Sequence, residues 1–181
     1  LLEVSNAELW EQIRKIPVND LIANIYISGG ITYKVSNENK AIHFSQTDPT
    51  DWVLISGGSL ADWSIKFDGK VIDEETELSS DQRFNAIGIT GCLTFLETNL
   101  DNTVVNVSNG RCEDSLNIIS SKGSIESLKI NSAFSDALDM DFSNVTIKDA
   151  FIKNAGNDCY DVSTGTYRVI SGQFEMCGDK G

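Results

Sequence analysis

Apolar and polar residues alternate along most of this chain, and Gly, Asn, Asp and Ser break the alternation at intervals. Four stretches, "ANIYISG", "AIHFSQ", "DWVLISGG" and "DWSIKFDG", carry β-branched and aromatic residues in that pattern. Each is bounded by punctuating residues and predicts a β-strand. The opening residues differ. "SNAELWEQIRKIP" predicts a short helix, with Ser5 as N-cap and Glu8 completing a capping box. Leu9, Ile13 and Ile16 fall near one face, Trp10 lies beside it, and Pro17 is the stop.

From about residue 88 the pattern becomes a repeat. The segments "RCEDSLNIISS", "FSDALDMDFSN", "GNDCYDVSTGT" and "CGDKG" align on Asp114, Asp136, Asp158 and Asp179, at steps of 22, 22 and 21 residues. A second strand keeps the same register, since Ile125, Ile147 and Val169 are 22 apart, as are Ile130, Ile152 and Phe174. A period near 22 with two or three short strands per repeat is one coil of a right-handed parallel β-helix, each strand stacking on its equivalent about 4.8 Å away. Leucine-rich repeats have similar periods, but their Leu-x-x-Leu-x-Leu pattern is missing. The expected fold is therefore all-β, a right-handed parallel β-helix with a short N-terminal helix. Residues 1–24 form the helix and lead-in, and 25–181 the solenoid, with clear repeats over 88–181. The helix would cover the open end of the solenoid. The beginning at "LLEV" and the stop at "CGDKG" suggest cuts within a longer chain, truncated in mid-coil at its C-terminus.

Alternation also sorts side chains into two faces. Leu116, Leu138 and Tyr160 share one inward position, and Ile118, Met140 and Val162 another. Asn117, Asp139 and Asp161 lie between them and point outward, with Asp141 on the same face. Asp114, Asp136, Asp158 and Asp179 stand where the chain enters the strand. They are expected to form a structural turn ladder, each carboxylate accepting backbone N–H groups one or two residues on. Stacked carboxylates repel, and Arg111 and Lys180 are nearby cations that could offset this.

Composition narrows the function classes. The 181 residues carry a net charge of -13, which repels phosphate backbones and argues against nucleic-acid binding. A polyanionic substrate would need a local basic patch or a metal. No run of 18 apolar residues suggests membrane insertion. Four cysteines, Cys92, Cys112, Cys159 and Cys177, form no CxxC pair and lack zinc-ligand spacing. Buried free thiols are the expectation for them, ahead of disulfides. His43 is expected to be an ordinary strand residue.

The coil pattern "SDALDMDFSNVTIKDAFIKNAGNDC" resembles the pectin-lyase-like superfamily of parallel β-helices, and in particular its bacterial surface or secreted members with Asp-rich coils. That resemblance implies an extracellular or cell-surface protein that binds or processes polysaccharide along a grooved side. As an enzyme it would be a carbohydrate-active hydrolase, lyase or epimerase. The alternative within the same superfamily is a structural or adhesin-type solenoid without chemistry. Polygalacturonases of this superfamily use aspartates from neighbouring coils, and "GNDCYD" is similar to their paired-Asp segment. Here Cys159 replaces the second Asp, and neither Gly-His-Gly nor Arg-Ile-Lys occurs.

The candidate catalytic residues are Asp139, Asp161 and Asp158. Asp139 and Asp161, on adjacent rungs, suit a retaining carboxylate pair, and Asp139 with Asp158 would supply the wider inverting gap. Trp52, Trp63 and Asp141 are candidates for substrate binding, the indoles as platforms for sugar rings. No cofactor is expected, although clustered carboxylates could take Ca2+. The expected partners are a glycan and further coils or domains of the same full-length chain.

Overall fold

The computed structural model describes residues 13–71 and 83–179. It contains fourteen strands and, among the described residues, no helix. The chain begins with β1 (Arg14–Ile16), β2 (Ile22–Ile27) and β3 (Ile31–Ser36). It continues with β4 (Ala41–Gln46), β5 (Val53–Ser59) and β6 (Ser64–Asp68), and then β7 (Gly91–Leu96) and β8 (Thr103–Gly110). The last coils hold β9 (Asp114–Ile119), β10 (Lys122–Ala133), β11 (Asp136–Asp141), β12 (Asn144–Ala155), β13 (Asp161–Val162) and β14 (Thr166–Cys177).

Two seven-stranded sheets run the length of the molecule, ordered β1-β2-β5-β7-β9-β11-β13 and β14-β12-β10-β8-β6-β4-β3. From β4 and β5 onward every pairing is parallel, which makes the fold a parallel β-solenoid. Its register is the one the repeat predicts. Asp136 pairs with Asp114, Leu138 with Leu116 and Asp139 with Asp161, while Ile147 pairs with both Ile125 and Val169.

The core is a set of apolar columns between the sheets. Val53, Leu93, Leu116 and Leu138 stack in one column, and Ile55, Phe95, Ile118 and Met140 in the next, all fully buried. Each such side chain contributes about 1.5–3 kcal/mol by leaving water. In the last coil the column residues change to aromatics. Val145 is followed by Tyr167 and Ile152 by Phe174, and Tyr160 stands where Leu138 stood, with its ring 6.3 Å from that of Phe174.

The first end is built differently from the expected helix. Residues 1–12, which hold Ser5, Glu8, Leu9 and Trp10, lie outside the described residues. The described remainder of that segment is a strand: β1 pairs antiparallel with β2, and β2 antiparallel with β5. β3 pairs antiparallel with β4. Ile16 is buried as a strand residue, so the helix-compatible three-residue spacing of Ile13 and Ile16 is overridden by a sheet edge that supplies hydrogen bonds. Antiparallel strands thus cover the first coils, the task expected of the helix. Gly58, at φ 66°, permits the close approach of β2, because a Cβ there would run into the Ile22 carbonyl.

The coils turn on repeated corners. Glu97, Ser120 and Phe142 all have positive φ, as do Asn109, Ser132, Asn154 and Met176, each set at near-22-residue steps. One corner also carries a hydroxyl ladder, Thr98, Ser121 and Ser143, all buried. Ser121 Oγ accepts the Thr98 N–H (3.0 Å) and donates to the Ile119 carbonyl (2.9 Å). Ser143 Oγ accepts the Ser121 N–H (2.9 Å) and donates to the Asp141 carbonyl (2.8 Å). The next rung has Gly165, and the Tyr167 hydroxyl takes the vacant place, accepting the Ser143 N–H (3.2 Å) and donating to the Met140 carbonyl (2.9 Å).

Both expected pairs of free thiols are instead disulfides, Cys92–Cys112 and Cys159–Cys177, each with a Cα–Cα distance of 5.3 Å. Partners 20 and 18 residues apart meet because one turn of the solenoid returns the chain almost to its starting point. Intact disulfides fit an oxidising compartment. No helix among the described residues is long and apolar enough to cross a membrane.

Candidate functional site: an acidic row on the outer face

The carboxylate corner holds its aspartates deep in the structure. Asp114, Asp136 and Asp158 are buried, whereas Asp179 is exposed. Asp136 Oδ1 accepts the backbone N–H of Asp158 (2.9 Å) and the Asn157 amide (2.8 Å), both on the following coil. The ladder at this step therefore ties one coil to the next, rather than closing a turn one or two residues on. Burial places the Asp158 carboxyl in the corner, away from the open face where a substrate would lie.

The outward row follows from strand alternation. Thr94, Asn117, Asp139 and Asp161 stand side by side on β7, β9, β11 and β13. Their exposure rises along the row: Thr94 and Asn117 are fully covered, while Asp139 and Asp161 are half-buried. Asn117 is the hub. Its Nδ2 lies 2.9 Å from Asp114 Oδ2, 3.0 Å from Asp139 Oδ2 and 3.2 Å from Thr90 Oγ1. One amide with two protons faces three acceptors. Asn117 Oδ1 and Thr94 Oγ1 are buried without a hydrogen-bond partner.

One carboxyl of this row, Asp139, and one of the corner, Asp114, are displaced from their ordinary range. Burial pushes Asp139 up to about 7, and the charges of Asp114, Asp141, Asp161 and Asp136 push in the same direction. Burial also raises Asp114 to about 6, against hydrogen bonds from Thr90 and Asn117, with Asp136 and Glu113 adding to the rise. No cation pairs with Asp139 among the described residues. Asp141, on the same strand as Asp139, accepts a hydrogen bond from Ser163 on the next rung. Asp161 Oδ1 accepts the Val162 N–H at 3.0 Å.

Thr90 also lines a cavity of about 430 Å³, whose walls include Asp51, Trp52, Arg83, Phe84, Arg111 and Glu113. Arg83 is 3.3 Å from Glu113. Arg111 does not offset the aspartate ladder. Its guanidinium lies 4.7 Å from the centre of the Phe134 ring, and its Nε is buried without a partner. Lys180, the other expected cation, lies outside the described residues.

The indole platforms are overturned. Trp52 and Trp63 are each only 3% exposed, so neither offers a ring face to a sugar. Trp63 packs in the core, and Trp52 only edges the cavity. His43 sits on β4 with Nε2 2.6 Å from Asp68 and 3.5 Å from Ser45 Oγ. Both contacts use the same ring nitrogen, so the three residues do not form a relay, which needs opposite nitrogens. Burial opposes ionisation of Asp68, yet hydrogen bonds from Lys66, Ser108 and His43 hold it below the usual carboxylate range. Among the described residues no group of three or more His, Cys, Asp or Glu side chains is arranged to hold a metal ion.

Sequence reasoning missed Thr90 and the bridging role of Asn117. Asn117 had a signal, since it is the one amide in a row otherwise occupied by Asp139 and Asp161. Thr90 had none, because it lies outside the strands and reaches the row only through tertiary structure. No family model, curated protein or solved structure matches the chain.

Proposed function

We propose that this protein is an extracellular or cell-surface β-helix of the pectin-lyase-like kind that engages polysaccharide along the row Asn117–Asp139–Asp161. The observation that supports this reading is Asp139, a half-exposed carboxyl with a pKa near 7 beside a second carboxyl one rung, about 4.8 Å, away. A group of that pKa is protonated in about half of the molecules at neutral pH and can deliver that proton to a glycosidic oxygen. Asp161, its strand neighbour on the next rung, would then serve as nucleophile or charge stabiliser of a retaining pair. With a net charge of -13, neutral glycans are the favoured substrates, and acidic ones would need calcium as a bridge.

The burial of Trp52 and Trp63 favours a second reading, a structural or adhesin-type solenoid without chemistry, because it removes the aromatic platforms a sugar site commonly uses. A glycan array and a reducing-sugar assay on neutral and acidic polysaccharides, with and without calcium, separate the two. Under the first reading the wild-type protein releases reducing ends, and Asp139→Asn and Asp161→Asn each abolish release while retaining glycan binding. Wild-type protein that neither binds nor cleaves any glycan supports the second reading.

A further inference from the structure

One corner of the coil reverses the charge of the rest of the molecule. Where β8, β10 and β12 end, a cavity of about 170 Å³ is lined by Lys70, Asn109, Arg111, Ser132, Phe134 and Asn154 among others. Two of these side chains are cations, and no carboxylate stands among the described lining residues, in a chain whose net charge is -13. Asn109, Ser132 and Asn154 are corner residues of successive coils, at φ 55°, 63° and 60°. Parallel stacking sets each about 4.8 Å from the next, so an amide, a hydroxyl and a second amide form a row along the cavity wall. None of these three side chains has a hydrogen-bond partner among the described residues.

The cations of the cavity are also unclaimed. Arg111 stands between this cavity and the larger one that holds Asp51 and Glu113. Its guanidinium lies 4.7 Å from the centre of the Phe134 ring, and Phe134 lines the smaller cavity only. The acids on the larger side are engaged elsewhere. Glu113 pairs with Arg83, and Asp51 accepts the Ser28 hydroxyl (2.7 Å) and the N–H groups of Gly30 (3.0 Å) and Asp48 (3.1 Å). Arg111 is therefore half-buried without an ion pair, and its Nε has no acceptor among the described residues. Lys70 forms no ion pair there either, and its charge is the last of the influences on Asp48. A partly desolvated cation without an acceptor is unfavourable, and an anion in the cavity offsets that cost. The five polar side chains reach the cavity from the ends of four neighbouring strands, β6, β8, β10 and β12. A tetrahedral oxyanion presents acceptors in several directions and can use such a set, whereas one bidentate guanidinium suffices for a planar carboxylate.

We propose that this corner binds a tetrahedral oxyanion, a sulfate or phosphate group taken either as the free ion or as a monoester of a sugar. Asn117, Asp139 and Asp161 do not line the cavity, so the site stands or falls independently of the acidic row. Titration calorimetry of the full 181-residue chain at low, fixed ionic strength tests it. The titrants are inorganic sulfate, inorganic phosphate, glucose 6-sulfate, glucose 6-phosphate and acetate. A sulfate or phosphate group binds at one site per chain, more tightly than acetate. Arg111→Gln and Lys70→Met each weaken that binding about tenfold, and Ser132→Ala weakens it about threefold. Lys70 is exposed, so Lys70→Met keeps the test decisive even if Arg111→Gln fails to fold. Tighter binding of an ester than of its free ion identifies the sugar ester as the ligand, and the reverse order identifies the inorganic ion; either order upholds the site. Absence of binding by all four oxyanion titrants overturns the proposal. Binding that Lys70→Met and Ser132→Ala both leave unchanged overturns it too, as does acetate binding as tight as that of sulfate and phosphate.

Discussion

Each coil of this solenoid turns two corners with polar side chains, and the two corners use opposite chemistry. At the hydroxyl corner, Ser121 and Ser143 each accept one N–H and donate one proton, so both buried oxygens are matched. The ladder is neutral and repeats without electrostatic cost. At the carboxylate corner, Asp114, Asp136 and Asp158 stack acceptors on acceptors, with one Asn117 amide shared between Asp114, Asp139 and Thr90. There the same stacking that satisfies one coil raises the protonation of the next. A structural ladder settles on donors and acceptors in balance. The surplus of acceptors lies around Asn117, where the corner at Asp114 meets the outward row at Asp139.

The largest effect expected from breaking this comparison lies on the neutral side. Ser121→Ala leaves the buried Thr98 N–H without its acceptor, and urea denaturation should show a loss of about 2 kcal/mol. If the loss is no larger than that of an exposed serine, the hydroxyl ladder is incidental.

On the charged side the expected effect is smaller and of opposite sign. Asp114 and Asp139 are raised from 3.8 to about 6 and about 7, so the folded protein holds protons that the unfolded chain has released across that window. Stability from these two groups is therefore full below pH 3.8 and is lost as pH rises through 6 and 7. Asp48 and Asp68, both lowered, act the other way and lose their contribution as pH falls below 3.8. Thermal unfolding should thus give a higher midpoint at about pH 5 than at about pH 8. Asp139→Asn should narrow that difference and stabilise the protein by about 1 kcal/mol at the higher pH, a figure already discounted for its half-exposed position. An unchanged pH profile in the variant would show that Asp139 is not the titrating group.

The smallest effect concerns the αL corners. Phe142 is 64% exposed and held at φ 51°, a conformation that Asn tolerates better than Phe. Phe142→Asn should raise stability by a few tenths of a kcal/mol, up to about 1, as read from the urea midpoint. A decrease would mean that the exposed ring packs on something it contacts only in solution.

The parts of this molecule that repeat were legible in the sequence. Asp114, Asp136 and Asp158 announce the coil length, and the alternation around Leu138 and Met140 assigns inward and outward faces correctly. What was not legible depends on contacts between positions without a shared signature. Ser121 and Ser143 repeat as faithfully as the aspartates, but serine in a polar turn reads as ordinary, and only the stacked geometry shows each one binding the coil before it. Trp52 and Trp63, near turn residues, read either as a sugar platform or as core packing, and the structure buries both. The first end was misread because the spacing of Ile13 and Ile16 fits a helix locally, while a waiting sheet edge decides the matter globally. Cys92 and Cys112 are separated by 20 residues, a distance that predicts nothing until the length of a coil is known.

Those two disulfides change how the molecule would behave under tension. A solenoid pulled from its ends peels one coil at a time, and each coil released adds its contour length to the chain. Cys92–Cys112 withholds a stretch of 20 residues and Cys159–Cys177 one of 18, or about 70 and about 60 Å of extension that force alone does not release. A mild reductant would return both lengths. Under load, the reach of the chain would therefore depend on whether Cys92–Cys112 and Cys159–Cys177 are intact.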